Sequence, residues 1–209
     1  MIPITEAQEP LDFARTVRAP GNAFLMDCPN PTERQFRSHS YWSRARSDLL
    51  ISYGRICAYS CHYIAADTGA DTVEHFAPKS VYPHLAYEWS NYRLVCGRLN
   101  GRKGVYEDIL DPFTLRKDLF QLKLPSLLLT PLDDIPKNDK AAVNRTISRL
   151  KLNDDETCVE ARLTYMLDYL KNNITIDYLR EKAPFIYKEI TRQQLDIATL
   201  RNMFSLDRE

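Results

Sequence analysis

A helix-like pattern of apolar residues follows the first part of the chain. It opens with Thr32-Glu-Arg-Gln, the form of a capping box in which side chains bond the free backbone amides of a helix start. The apolar positions recur at near-helical spacing up to Gly54, a residue type common at helix ends. They are Phe36, Trp42, Ala45, Leu49 and Leu50. The pattern predicts a helix from 32 to 53.

The last third of the chain also shows helical patterns. Asp133 to Asp139 is a polar segment with a proline, and it predicts the clearest boundary in the sequence. Beyond it we predict helices that break once, at Pro184. They cover about 139–150, 155–171 and 175–192, followed by a peripheral helix in 193–209. One of them carries a stripe typical of a buried face. The stripe is Val159, Leu163, Met166, Leu167 and Leu170.

The remaining segments lack helical periodicity. Residues 1–31 are rich in proline and turn-forming residues, which predicts an extended arm laid across the body of the protein. The Leu and Pro residues from Leu119 to Leu132 predict irregular, strand-like packing. In the centre, Thr72–His75 and Tyr92–Val95 predict two short strands, and a short helix follows at about 99–104. We therefore predict an α+β protein that is mainly helical.

Composition permits a folded core and restricts how the chain could bind nucleic acid. The 209 residues are 44% hydrophobic, and 28 basic residues balance 28 acidic ones. Many nucleic-acid binders are positive overall, so binding here would depend on a local patch. One candidate patch is Arg93, Arg98, Arg102 and Lys103. The predicted regions are an arm and buttressing helix over 1–54, a core over 55–132 and a helical region over 133–209.

The cysteines and the apolar runs bear on the cellular compartment. The chain has five cysteines, an odd number, and opens with Met-Ile-Pro-Ile-Thr-Glu, which lacks the basic start and apolar run of a secretory signal. It has no apolar run near the roughly 20 residues that span a bilayer. These features predict a reduced, cytoplasmic protein.

The centre of the chain concentrates groups that could act on a phosphodiester. Glu74 directly precedes His75, whose imidazole titrates at roughly pH 6.5 and can accept a proton from water. Glu74 and Asn100 carry hard oxygen ligands, which suit Mg²⁺ or Mn²⁺. Each feature alone has an ordinary explanation, since acid–histidine pairs occur on surfaces and Asn-Gly is a common turn. Their order within one segment favours a functional site.

This segment resembles the HNH nuclease motif. The resemblance rests on Glu74, His75, Pro78, Asn91, Asn100, Lys103 and Gly104. It implies a ββα-metal core, in which a two-stranded hairpin and one helix surround a single divalent metal ion. The neighbouring residues are similar to those of stand-alone bacterial HNH endonucleases. Some of these act as effectors of anti-phage systems beside an ATPase partner.

The resemblance implies a role for each matching residue and metal-dependent hydrolysis of DNA as the activity. His75 would be the general base, Glu74 and Asn100 would bind the metal, and Asn91 would hold the loop that orients His75. Asn100 is also counted among the catalytic residues. Glu74 stands where Asp is usual in the family, and Asn100 replaces the final His. The cations Arg93, Arg98, Arg102 and Lys103 would neutralise flanking phosphates.

A structural zinc site is a further open question. Many members of the family bind zinc through two Cys-x-x-Cys pairs, whereas this chain offers Cys57, Cys61 and Cys96. Tetrahedral zinc needs four ligands. Either His62 or another group supplies the fourth, or packing has replaced the zinc, and the missing thiolate favours the second alternative.

Two other functions remain open. A non-catalytic module could keep the HNH shape and act as a DNA-binding protein or an adaptor, and the departures from the family pattern support it. RNA could also be the main substrate, because a metal ion and a histidine act on phosphate and not on the 2′-hydroxyl. One site cuts one strand, so a double-strand break would require a homodimer, a second visit or a partner.

Overall fold

The computed structural model describes residues 1–67 and 71–206. The chain divides into two compact units. About half of the residues are helical and about a tenth lie in strands, so the prediction of a mainly helical α+β protein is confirmed. The predicted boundaries after residues 54 and 132 stay predictions. The N-terminal unit consists of Ile4–Ala58 and Ile64–Glu107, and the C-terminal unit of Met1–Pro3, Tyr59–Tyr63 and the chain from Asp108 onward.

The prediction of an extended N-terminal arm is wrong. Residues Ala14–Arg18 form a π-helical turn that continues into helix α1, Ala19–Asp27. Pro20 lies in the first turn of α1, where its missing N–H costs nothing. Gly21 is needed for close packing, since a Cβ there would stand 2.1 Å from the Tyr87 ring. Both residues signal turns in a sequence, but here they start a helix and let it pack.

The predicted helix over 32–53 is present in three pieces. Helix α2, Glu33–Ser38, begins with the predicted capping box, in which Thr32 and Gln35 bond each other's backbone amides. A 3₁₀ segment, Tyr41–Ala45, and helix α3, Arg46–Ser52, follow. The break lies at His39, whose Nδ1 bonds the carbonyl of Gln35 and whose ring stacks on Phe24 at 3.8 Å. These contacts compete with a continuous helix.

A hairpin and a helix form the centre of the N-terminal unit. Strand β1, Asp71–His75, pairs antiparallel with β2, Tyr92–Cys96, in a register that sets Glu74 opposite Arg93. Helix α4, Gly97–Lys103, follows β2 directly and packs on both strands. Buried apolar residues come from α3, β2 and α4, and they include Leu49, Leu94, Val95 and Leu99. The two strands and the short helix match the prediction, with α4 starting slightly earlier.

The C-terminal unit combines a second hairpin with helices. The predicted strand-like segment is a regular antiparallel pair, and Pro184 breaks the helical run as predicted. Of the predicted stripe, Met166 and Leu170 are buried but Leu163 is exposed. The elements are β3 (Phe120–Lys123), β4 (Leu128–Pro131), α5 (Lys137–Leu150), α6 (Glu160–Leu170), α7 (Ile176–Lys182), α8 (Pro184–Arg192) and α9 (Ile197–Met203). Across 1–67 and 71–206, every helix is too short or too polar to span a bilayer.

Candidate active site

A cavity of about 660 Å³ lies in the N-terminal unit, beside the end of β1 and helix α4. It brings together three of the predicted site residues, Glu74, His75 and Asn100. Other parts of its wall come from α2, the 3₁₀ segment and the chain just after β1, which contribute Phe36, Trp42, Pro78 and Lys79. The sequence-predicted Asn91 is not part of the wall.

Glu74 and His75 reach one cavity because β1 ends at His75. Successive side chains of a regular strand point to opposite faces, so adjacent residues normally face apart. Here the chain leaves the strand at Phe76, and the ammonium of Lys103 donates hydrogen bonds to the carbonyls of His75 (2.8 Å) and Phe76 (2.6 Å). Lys103, the last residue of α4, therefore holds the bend that follows β1.

The His75 imidazole is held in a defined orientation. Its Nε2 lies 2.9 Å from the carbonyl oxygen of Ala86. A carbonyl only accepts, so Nε2 carries the proton and Nδ1 is left as the basic nitrogen. The rings of Trp42 and Tyr92 contact the imidazole edge-on, with centroids 5.0 and 5.2 Å away. Burial, assisted by the charge of Lys79, lowers the pKa of His75 to about 3, so the imidazole is neutral.

Glu74 forms a buried ion pair. Its Oε1 lies 2.9 Å from Nζ of Lys103, and the two side chains are 3% and 0% exposed. Burial raises the pKa of Glu74 to about 7, although the charge of Lys103 acts in the opposite direction. With this pair and its two carbonyl bonds, the Lys103 ammonium uses all three of its donors inside the protein.

Asn91 joins the two ends of the loop between β1 and β2. Its Oδ1 accepts from the amide of Ala77 at 2.7 Å, and its Nδ2 donates to the carbonyls of Ala77 and Leu85, both at 3.0 Å. Ala86, whose carbonyl oxygen accepts the hydrogen bond from His75, follows Leu85 directly. Asn91 thus bonds the segment next to the carbonyl that holds the imidazole, and its role at the site stays a prediction.

Asn100 lies on α4 and is tied to the hairpin. Its Nδ2 donates to the hydroxyl of Thr72 at 2.9 Å, and that hydroxyl donates to the carbonyl of Val95 at 2.7 Å. Thr72 itself lines the cavity. The carboxamide of Asn100 is therefore fixed beside the same space as Glu74 and His75.

The four predicted phosphate-binding cations do not share one exposed face. Arg98 is exposed and Arg102 half-buried, but Arg93 and Lys103 are buried. The guanidinium of Arg93 donates to the carbonyls of Ser90 (2.7 Å) and Tyr92 (2.9 Å). Two of the four cations thus hold the backbone around the site.

The sequence did not predict Lys79 and Trp42 as site residues, although both lie in the cavity wall. Lys79 follows His75 by four positions, just beyond Pro78, so its place in the same short segment was the available signal. Trp42 lies in the predicted helix over 32–53, where its place among the apolar positions indicates a packing residue. It does pack, but against the imidazole of His75.

The donor groups bear on which metal ions could be held. Within residues 1–67 and 71–206, no three or more His, Cys, Asp or Glu side chains are grouped to hold a metal. Cys57, Cys61 and Cys96 therefore do not form such a group, and none of them is in a disulfide. Glu74 and Asn100 offer one carboxylate and one carboxamide. That pair fits a cation such as Mg²⁺, which keeps waters and takes substrate oxygens as further ligands.

Comparisons with known proteins show a partial similarity to a curated protein. Models of known protein families give no match to the chain. Over 76 residues the chain is 45% identical to the Septu protein PtuB of Bacillus thuringiensis. The matching stretch is 35% of this chain and 30% of that protein, so the chain spans about a third of the relative that it matches. The chain is thus similar to one part of a Septu protein.

Proposed function

We propose that this chain is an endonuclease that hydrolyses phosphodiester bonds in DNA with Mg²⁺ or Mn²⁺, and that it acts in defence against phage. The observation that carries the proposal is the His75 imidazole in the cavity. Its Nε2–H donates a hydrogen bond to the carbonyl of Ala86, and its Nδ1 is left to accept a proton. Glu74 and Asn100 line the same cavity and supply oxygen atoms beside it.

His75 would remove the proton from the attacking water. The neutral imidazole is the form that a general base needs, and the rings of Trp42 and Tyr92 restrict its orientation. Burial and the charge of Lys79 lower the pKa of His75 to about 3. A phosphate in the cavity adds negative charge, which favours the imidazolium and raises the pKa toward the range useful for a base.

Glu74 and Asn100 would hold the metal ion. A divalent cation there would neutralise the negative charge that develops on the phosphate and on the leaving oxygen. Lys103 keeps the Glu74 carboxylate in place through its 2.9 Å ion pair. Asn91 and Lys103 do not act on the substrate in this proposal, because they hold the loop and the bend that position His75.

The similarity to a Septu protein supports the defence role. Septu is an anti-phage system, and the 45% identity over 76 residues links this chain to one of its proteins. We propose an ATPase of the same system as the partner, as the resemblance to HNH effectors implies. A homodimer or that partner would bring two sites together where both DNA strands are cut.

Cleavage of supercoiled plasmid tests the proposed activity. Purified protein is incubated with plasmid in Mg²⁺, in Mn²⁺ and in excess chelator, alone and with the proposed ATPase partner. We expect nicked or linear plasmid only in the presence of metal. His75→Ala should lower the rate by at least about 100-fold, the loss typical for removal of a general base.

A matched histidine provides the control. His84 is exposed and lies outside the cavity wall, so His84→Ala should cut at the wild-type rate. Circular dichroism would establish that His75→Ala is folded. If folded wild-type protein leaves DNA intact with metal and partner present, the DNase proposal fails. Cleavage of RNA alone would identify a ribonuclease, and DNA binding without any cleavage would identify the adaptor.

A further inference from the structure

Lys79 has an unusual environment for a lysine that lines a cavity. Its ammonium lies 5.3 Å from the ring centre of Trp42 and 5.9 Å from that of Phe36. Among the described residues it makes no hydrogen bond and no ion pair. All three side chains belong to the wall that also contains His75. The ammonium is thus held by aromatic faces beside the imidazole, with its donors unused.

Trp42 connects Lys79 to the rest of the site. The indole contacts the imidazole of His75, with 5.0 Å between ring centres, and it also carries the ammonium of Lys79. An aromatic face attracts a cation but offers no hydrogen-bond acceptor. The arrangement therefore positions the charge and leaves three N–H donors for an anion.

The charges around Lys79 also favour an added anion. The carboxylates of Glu74 and Glu33 attract its charge, but Lys103 and Arg37 repel it. Glu74 is paired with Lys103, and Glu33 with Arg37 at 2.5 Å. Both neighbouring carboxylates thus already have a cation. Partial burial lowers the pKa of Lys79, because the ammonium has lost water without gaining an acceptor.

We propose that Lys79 binds the phosphate group that is hydrolysed and that Trp42 and Phe36 hold its ammonium in the cavity for this purpose. The inference rests on the proposed nuclease function and adds a substrate-binding residue to it. Lys79 then supplies the positive charge at the phosphate that the buried Lys103 does not supply. In a partly desolvated cavity such a contact is stronger than one at the surface.

Equilibrium binding provides a test that does not depend on cleavage. A short DNA duplex is bound to the protein in chelator at several salt concentrations, and log K is plotted against log salt. Each phosphate contact contributes a slope of about −0.9. We expect Lys79→Met to bind several-fold more weakly and to lose about 0.9 of the slope, whereas Lys79→Arg keeps it. Lys171→Met, an exposed lysine outside the cavity, should behave like wild type.

Cleavage by the same variants in Mg²⁺ provides the second readout. We expect Lys79→Met to lower kcat by about 100-fold with a smaller change in KM, since a phosphate contact strengthens as charge develops. Lys79→Arg should recover most of the rate. A Lys79→Met protein with wild-type salt slope and wild-type kcat would overturn the inference, as would a wild-type protein that does not bind DNA. A slope loss without any cleavage by wild type would support the phosphate site and refute the nuclease.

Discussion

Replacement of Lys103 by Met tests whether the buried ammonium holds the site together. Methionine has a similar length and lacks the charge, so the change removes the ion pair to Glu74 and the bonds to the His75 and Phe76 carbonyls. The exposed fraction of Lys103 is 0%, so water cannot replace these contacts without opening the unit. The perturbation is therefore confined to one polar cluster between α4 and the end of β1.

The expected cost follows from the burial of both partners. Removal of one partner from a buried ion pair typically costs about 3–5 kcal/mol, because the other charge is left without compensation. Burial already raises the pKa of Glu74 to about 7, so the carboxyl can bind a proton when Lys103 is absent. Because protonation removes the unpaired charge of Glu74, we expect Lys103→Met to lower the free energy of unfolding by about 3 kcal/mol, the lower end of that range.

Tryptophan fluorescence in urea measures this cost in the relevant unit. The chain has two tryptophans, Trp42 and Trp89, and both lie in the N-terminal unit. With a urea dependence of about 1–3 kcal/mol/M, a loss of 3 kcal/mol lowers the midpoint by roughly 1–3 M. Lys171→Met replaces an exposed lysine of the other unit and should leave the transition unchanged.

A double variant separates the ion pair from the carbonyl bonds. In Lys103→Met/Glu74→Gln the remaining partner carries no charge, so the combined cost should be smaller than the sum of the single costs by at least about 1 kcal/mol. The reasoning is refuted if Lys103→Met unfolds within about 0.5 kcal/mol of wild type, the range of ordinary surface substitutions. Strict additivity in the double variant would show that Glu74 does not depend on Lys103.

Two further predictions concern the loop and helix α1. Asn91→Ala removes three hydrogen bonds and should destabilise the N-terminal unit by about 3 kcal/mol, and the Ala77 amide should exchange its hydrogen faster in NMR spectra. Normal Ala77 protection would contradict this. Gly21→Ala places a Cβ against the buried Tyr87 ring and should cost about 3 kcal/mol in urea unfolding. Gly101→Ala has open space, so an equal loss there would contradict the packing argument.

Local patterns in the sequence predicted the hairpin, the capping box and the C-terminal helices. The capping box, for example, depends only on Thr32 and Gln35, three residues apart. Helix α1, which the sequence did not predict, depends on tertiary contacts. The sequence Pro20-Gly21 is typical of a turn. Here Pro20 lies in the first turn of the helix, and Gly21 lets the helix pack closely on Tyr87.

The candidate site shows the same division. The order of residues along the chain identified Glu74, His75 and Asn100, and all three lie in the wall of one cavity. Asn91 lies outside that wall and bonds Ala77 and Leu85. Burial could not be predicted in the same way. Lys103 is charged and is the last residue of α4, yet its three internal partners come from residues almost 30 positions away. Sequence spacing alone does not reveal such long-range contacts.

The burial of Arg93 and Lys103 limits how many cations of the motif could bind DNA. Salt-dependent affinity for DNA grows with the number of phosphates that Lys and Arg side chains neutralise. The chain has no net charge, and Arg93 and Lys103 are used internally. Of the motif cations, Arg98 is exposed and Arg102 is half-buried. The cavity wall adds Lys79 and Arg46, and Arg46 is already paired with Asp71. So few contacts can position a phosphate but give weak binding overall, which is consistent with the proposal that this chain acts on DNA together with a partner.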